Sequence, residues 1–215
     1  MEQKSLKTMV YDRITYDILN GRYKENDIIS EKTLIEKFGV SKSPVREALI
    51  ELCNEGILKS LPRTGYQIVP CSFKEIVDIL NLRTDIECTN LRRAIDRITE
   101  EKIAAIEANS KAWKYSEQVQ ETSTHWEKNH NFHLSLCALS ENEYAYRMVK
   151  QLLKLSSKFF AQYFTYASQN DSESKGDYHE KIIQALKDRS IDRACEYLEK
   201  DINNVKEQIQ QLFGL

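Results

Sequence analysis

Four polar residues lie in helical patterns whose other members on the same face are apolar. Asn129 and His133 are four residues apart, and His179 and Asp201 each have apolar residues three or four positions away. Side chains at this spacing share one face of a helix, so all four are predicted to project into a helical bundle. A chain reversal is predicted at residues 188–190. It would place His179 and Asp201 at the same height along two antiparallel helices, because both are the same number of residues from residue 190.

Together these side chains offer two imidazoles, one carboxylate and one amide oxygen. This is an acceptable donor set for Zn, Mn, Ni or Fe, although the neutral amide of Asn129 is a weaker donor than a carboxylate. The same groups are compatible with a buried, hydrogen-bonded cluster without metal, and with direct contact to an organic effector. The sequence predicts a divalent metal site and leaves both alternatives open. The predicted metal-ligating residues are Asn129, His133, His179 and Asp201.

The composition favours a folded, mainly helical chain. Of the 215 residues, 41% are hydrophobic and 30% are charged, with only 6 Gly and 3 Pro. This mixture leaves little room for disorder or turn-rich β structure, and the length allows two modest domains with separate cores. The formal net charge of -2 excludes a chain that is basic throughout, so any DNA-binding surface must be a local patch.

The cysteines and the apolar segments indicate in which cellular compartment the protein is located. Five cysteines, an odd number without a CxxC pair, are predicted to be reduced and mostly buried thiols. No stretch approaches the roughly 18 apolar residues of a membrane span, and the N-terminus lacks an apolar signal segment. We therefore expect a cytoplasmic protein without a membrane partner.

The first 70 residues follow the pattern of a helix-turn-helix. A first helix is predicted over residues 6–18, and a second begins after Ser30 and ends at Gly39. Ser43 is predicted to be the N-cap of a third helix, with Pro44 at the first helical position. Two short helices joined through a glycine in this way form the motif that places its second helix against DNA.

Basic side chains gather in this predicted motif. Residues 32–46 contain four Lys or Arg and one Glu, a local charge of +3 within a chain of net charge -2. Ser41 and Ser43 stand near the start of the third helix, where backbone amides can meet a phosphate. Two β-prone runs, residues 57–61 and 66–69, flank a Pro-Arg-Thr-Gly turn and predict a hairpin wing. The pattern predicts a DNA-binding surface.

Beyond residue 70 the periodicity is helical almost throughout. The predicted fold class is mainly α, with a winged helix-turn-helix of three helices and a β-hairpin in residues 1–70 and an all-α six-helix bundle in residues 71–215. The six helices are placed at about residues 72–98, 100–119, 122–140, 142–168, 172–188 and 190–213.

The stretch SEKTLIEKFGVSKSPVREALIELCNEGILKSLPRTGYQIVP resembles the winged helix of the GntR regulators. The family signature is a V-S-R-x-P-V-R-E-A-L core, an E-G-hydrophobic-hydrophobic turn and an R-x-G wing, and the resemblance covers about 65 residues. Lys32 and Lys42 stand where Arg is usual, and a lysine cannot form the bidentate fork to guanine. The resemblance implies DNA contacts from Lys32, Ser41, Lys42, Ser43, Arg46, Arg63, Thr64 and Gly65.

The remaining chain is similar to FCD, the ligand-binding domain of the FadR-like GntR subgroup. The similarity rests on LRTDIE from Leu82, on NHNFH to SEN from Asn129, and on YHEKIIQALKDRSIDRACEYLEKDI from Tyr178. In that subgroup Asp, His, His and His surround a divalent metal, so Asn129 and Asp201 depart from the pattern. An arginine at the position of Arg83 often anchors an acidic effector there.

Arg83 and Glu87 lie four residues apart on the inward-leaning face of the first helix of this domain. We expect both to be effector-binding residues, while an ordinary salt bridge explains the same spacing. The leading interpretation is a homodimeric transcription regulator, expected to be a repressor, whose affinity for double-stranded operator DNA depends on a small-molecule effector. The alternative is a metal-dependent enzyme that uses the cluster of His133, His179 and Asp201.

Overall fold

The computed structural model describes residues 5–24, 26–70, 72–114, 122–163 and 178–213. Internal contacts divide the chain into two units, residues 1–71 with 157–168 and residues 72–156 with 169–215. The architecture is mainly helical with one small antiparallel sheet, as the sequence predicted.

The first unit has three helices and three short strands around one hydrophobic core. Ser5 and Ser30 cap the first two helices, since their side chains accept hydrogen bonds from the amides of Thr8 and Thr33. The core consists mainly of branched aliphatic side chains, with Leu34 and Leu49 fully buried. In chain order the elements are α1 (Leu6–Leu19), β1 (Ile28–Ile29), α2 (Glu31–Phe38), α3 (Lys42–Asn54), β2 (Leu58–Leu61) and β3 (Gly65–Ile68).

The start of α3 differs from the prediction. Ser41, with an extended backbone, is the N-cap, and the helix begins at Lys42 rather than after Ser43. The prediction was wrong because both serines are good N-cap residues and Pro44 is tolerated throughout a first turn, whose amides have no helical partner. The hydroxyl of Ser43 instead donates a hydrogen bond to Glu47, at 2.7 Å.

The sheet has the strand order β1-β3-β2, and β1 was not predicted. It contributes two residues, which pair with Tyr66 and Gln67, and is too short to show an alternating pattern. Gly65 lies where β1 approaches the hairpin, with φ +141°, and a Cβ placed there would be 2.7 Å from the carbonyl oxygen of Ile29. Only glycine fits this position without strain.

The second unit is helical throughout its described residues. A capping box of Ser72 and Glu75 starts its first helix, which ends at Arg93 and is followed by a 3-10 turn at Ile95–Arg97 instead of continuing to residue 98. Parts of three predicted helices, residues 115–119, 164–168 and 172–177, lie outside the described residues. The helices are α4 (Phe73–Arg93), α5 (Glu100–Lys114), α6 (Thr122–Ala138), α7 (Glu143–Tyr163), α8 (Tyr178–Lys187) and α9 (Ile191–Phe213). The last described residues of α7, 157–163, are grouped with the first unit.

Helices α8 and α9 form an antiparallel pair, and α9 also packs along α4. The chain reverses at residues 188–190, where Arg189 adopts a left-handed φ of 56° and the amide of Ser190 donates to the carbonyl of Ala185. This is the reversal that the sequence predicted. Within the described part of the chain, no helix is both long and apolar enough to cross a membrane.

Candidate metal, effector and DNA-binding sites

His133 on α6 is the centre of a buried polar network. Its Nδ1 lies 2.7 Å from Oε2 of Glu87 on α4, and its Nε2 lies 3.2 Å from Oδ2 of Asp201 on α9. The same Asp201 oxygen lies 3.7 Å from Nε2 of His179 on α8. The side chains of His133 and Glu87 are each 1% exposed, and those of His179 and Asp201 are each 19% exposed, so four helices bring these groups together at a largely buried site.

Three groups of this network are placed to hold a metal ion. One ligand atom from each of His133, His179 and Asp201 lies within 4.8 Å of the other two. Glu87 binds the second ring nitrogen of His133, which is how carboxylates orient ligating histidines in metalloproteins. The fourth predicted ligand, Asn129, is half-buried one turn before His133 on α6. The donor set therefore fits a divalent ion.

The network also determines protonation. Burial lowers the pKa of His133, but the Glu87 carboxylate and the Asp201 hydrogen bond outweigh burial and raise that pKa above its ordinary value. Burial likewise raises the pKa of Asp201, and its hydrogen bonds from both histidines reverse the effect and hold the pKa low. Without a metal, the two carboxylates therefore favour the protonated form of His133 between them.

Arg83 completes the network from α4. Its Nε donates to Oε1 of Glu87 at 2.9 Å, and the residue is 3% exposed. Among the described residues, its Nη2 is a buried nitrogen without a hydrogen-bond partner. The pair predicted to bind an effector thus forms a salt bridge and is joined to the predicted metal ligands through Glu87. Sequence reasoning treated these as two sites, because helix periodicity does not show which helices pack together.

His130 is a half-buried polar residue that sequence reasoning missed, because it lies off the stripe of Asn129 and His133. Burial, with the nearby charges of Arg83 and His133, lowers the pKa of His130 to about 3. It is therefore a neutral imidazole at physiological pH, beside a protonated one.

In the first unit, the predicted DNA-contacting side chains of α2, α3 and the hairpin are exposed. The side chains of Lys32, Lys42 and Arg46 are 87%, 67% and 63% exposed. Arg63 and Thr64 are exposed in the hairpin loop, where Arg63 has a left-handed φ of 63°. Gly65 is half-buried, and its fit against β1 gives it a structural role at the base of the loop.

Glu31 was not singled out from the sequence, yet it lies at the centre of this surface. Its carboxylate is 3.6 Å from Lys42 Nζ, 3.8 Å from Arg46 Nε, and accepts a hydrogen bond from Tyr66. Lys37, which contributed to the local charge of residues 32–46, instead pairs with the buried carboxylate of Asp17 at 2.5 Å. The excess positive charge available to DNA is therefore smaller than the sequence indicated.

Comparison with known families assigns the chain. Residues 6–68 match the bacterial regulatory proteins of the gntR family, and residues 78–204 match the FCD domain. The chain belongs to the GntR family. This regulator is 25% identical over 203 residues to the uncharacterized HTH-type transcriptional regulator YdhC of Bacillus subtilis, covering 94% of this chain and 90% of the relative. It is 24% identical to the transcriptional repressor RspR of Escherichia coli, covering 94% and 88%.

Solved structures agree on the fold. The GntR regulator superposes on E. coli McbR/YncC with a TM-score of 0.79 at 20% identity, over 99% of each chain. A putative transcriptional regulator GntR from Rhodococcus sp. RHA1 gives a TM-score of 0.74 at 16% identity, covering 97% of this chain and 99% of that one. The protein is a DNA-binding transcription regulator with an effector-binding FCD domain, and the enzyme alternative is not supported.

Proposed function

We propose that this regulator represses transcription as a homodimer and binds each operator half-site through the start of α3 and the hairpin loop. The supporting observation is the exposure of Arg46 beside Lys42, on the face of α3 opposite its buried residues. A dimer places two such surfaces against successive half-sites of a palindromic operator. The residues proposed to contact DNA are Lys32, Ser41, Lys42, Ser43, Arg46, Arg63, Thr64 and Gly65.

A gel-shift against DNA upstream of the protein's own gene tests this surface. Arg46→Ala is expected to weaken specific binding by on the order of 1 to 3 kcal/mol while leaving the dimer intact. The matched control is Arg147→Ala on α7, whose side chain is 70% exposed in the second unit. Wild-type affinity for Arg46→Ala at moderate salt would exclude α3 as the reading helix.

Inside the FCD domain, we propose that His133, His179 and Asp201 hold a divalent metal, with Asn129 as a weak fourth donor. Zn, Mn, Ni and Fe all suit two imidazoles and a carboxylate, and a bound ion supplies a positive charge that attracts an anionic ligand. The unpartnered Nη2 of Arg83 supports an acidic effector, since a buried guanidinium nitrogen gains most from an anionic acceptor. One relative is named for the operon of a carboxylate, gluconate.

Thermal melts with and without Zn, Mn or Ni, together with elemental analysis, test the metal site. Wild type should melt higher in metal, and His179→Ala should lose that increment. Asn129→Asp restores a charged donor, and a tenfold tighter Kd at saturating metal adds about 1.4 kcal/mol of stability. A melting point that no ion changes would favour the metal-free cluster.

The domain boundary near residue 70 and the dimer are tested with one fragment. A chain beginning at Ser72 is expected to be helical and dimeric, because α4, α5, α6, α8 and α9 pack on one another and the core of the first unit lies within residues 10–68. An unfolded fragment by circular dichroism would place the boundary elsewhere. A folded monomer would move the dimer contacts out of residues 72–215.

A further inference from the structure

Two cysteines of the FCD domain oppose one another where α4 packs on α9. The sulfur of Cys88 lies 3.6 Å from the carbonyl oxygen of Cys195, and the sulfur of Cys195 lies 3.6 Å from the carbonyl oxygen of Cys88. One turn further along α4, Arg92 lies 3.6 Å from Asp192 of α9. Each sulfur thus contacts the backbone of the other cysteine, so the two thiol groups lie side by side between antiparallel helices.

A small oxidant can reach both sulfurs from an adjoining cleft. Cys88 and Cys195 are 7% and 2% exposed, yet both line an open, polar cleft of about 280 Å³ between the two helices. Thr89 and Glu199 lie on the walls of the same cleft. A peroxide molecule is only slightly larger than water, so the cleft admits it without a change in helix packing.

The two thiols differ in acidity. A hydrogen bond from Cys88 lowers the pKa of Cys195, with further help from the positive charge of Arg92. The same hydrogen bond and burial raise the pKa of Cys88. Since the thiolate is the nucleophile, Cys195 is the sulfur that reacts first and Cys88 is the sulfur positioned to resolve its product.

We propose that Cys88 and Cys195 are a redox-active dithiol that a hydroperoxide oxidises to a disulfide cross-linking α4 to α9. The Cys195 thiolate attacks one peroxide oxygen, the O–O bond breaks, and Cys195 becomes a sulfenic acid while hydroxide leaves. The Cys88 sulfur then attacks the Cys195 sulfur, the S–S bond forms, and the sulfenic oxygen leaves with the Cys88 proton as water. Overall, two thiols lose two electrons and two protons, and hydrogen peroxide becomes two waters.

The cross-link would act on the polar network. Glu87, which holds His133, directly precedes Cys88 on α4, and Asp201, which also contacts His133, lies further along α9 from Cys195, at position 201. A bond between the helices fixes the spacing of these two carboxylates. Oxidation is thereby a second input to the domain, separate from the effector.

The test uses the full chain with Cys53, Cys71 and Cys137 replaced by Ser, which leaves only the proposed pair. Hydrogen peroxide should lower the intact mass by about 2 Da, the loss of two hydrogens, and dithiothreitol should restore it. In wild type, peptide mapping after the same treatment should find Cys88 joined to Cys195, a result that needs no substitution.

Two further variants of that triple mutant test the order of reaction. With Cys88→Ser, dimedone should trap a sulfenic acid on Cys195, while Cys195→Ser should give little trapping on Cys88. Two free thiols after excess peroxide, a wild-type disulfide joining other cysteines, or a cross-link between two copies on a non-reducing gel would each overturn the proposal.

Discussion

The surface proposed to meet DNA and the buried network of the FCD domain are both made of ion pairs, but they differ in their access to water. At the surface, Arg46 is 63% exposed and lies 3.8 Å from Glu31. In the network, His133 and Glu87 are 1% exposed and lie 2.7 Å apart. Exposed pairs contribute about 0 to 1 kcal/mol, whereas removing one partner of a buried pair costs about 3 to 5 kcal/mol.

The difference suggests how each region works. Under the proposed function, side chains at the surface would exchange Glu31 for a phosphate or a base at little cost, because water already screens the pair. Groups in the network would keep their partners until a ligand of matching charge replaces them. A regulator needs both kinds of contact, since DNA must be released readily and an effector must be selected.

The largest expected effect comes from breaking the network at Glu87. Glu87→Ala leaves Arg83 and the His133 cation without their shared partner, so the free energy of unfolding should fall by about 3 to 5 kcal/mol. Urea denaturation followed by circular dichroism measures the loss. The control is Glu196→Ala, which removes an exposed pair with Lys200 and should leave the free energy of unfolding almost unchanged, because water screens that pair. Equal losses would remove the contrast between exposed and buried ion pairs.

A smaller effect is expected at the base of the hairpin. Gly65→Ala places a Cβ 2.7 Å from the Ile29 carbonyl at φ +141°, and strain of this kind costs on the order of 1 to 3 kcal/mol. Gly56→Ala is the matched control, since its φ is +69° but nothing lies within 4 Å of the new Cβ. Amide hydrogen exchange across residues 57–70 should increase more for Gly65→Ala. Identical exchange would mean that β1 yields to the new methyl group.

The metal-dependent stability should rise with pH. The folded pKa of His133 lies above 6.5, so in the metal-free protein its ion pairs stabilise fully below pH 6.5 and are lost as pH rises through the folded pKa. A metal must displace the proton from Nε2 of His133. The stabilisation by metal should therefore increase as pH rises through the folded pKa of His133, where the stabilisation by the ion pairs decreases. Thermal melts in Mn and in chelator, from pH 6 to 9, measure the increment. An increment that is constant with pH would mean that His133 is not a ligand.

The smallest effect is expected from removing the negative charge of Glu31 at the surface proposed to bind DNA. Glu31→Gln removes the negative charge between Lys42 and Arg46 while keeping an acceptor for Tyr66, so DNA affinity should rise by up to about 1 kcal/mol. Binding measured at several salt concentrations should show the gain shrinking as salt increases. Glu196→Gln on α9 serves as the control for net charge. Weaker binding by Glu31→Gln would show that the carboxylate orders the basic side chains instead of competing for them.

The sequence predicted the candidate site correctly where the position of a side chain follows from its spacing along a single helix. The inward positions of His133, His179 and Asp201 follow from apolar stripes, and the structure brings them within 4.8 Å of one another. The position of Ser41 as N-cap did not follow, because two serines satisfied the same rule. Strand β1 and the contacts of Glu31 depend on how separate elements pack, which periodicity does not contain.

One aromatic contact in the FCD domain reduces the conformational entropy that the side chain of His179 loses when it binds a ligand. The ring of Phe132 stacks on the imidazole of His179 with centroids 3.7 Å apart and planes 14° from parallel. A ring stacked on one face in this way has fewer rotamers to lose, so a ligand that binds His179 meets a preorganised donor and keeps more of its interaction energy as affinity. Removing the aromatic face would therefore weaken binding without touching any donor atom.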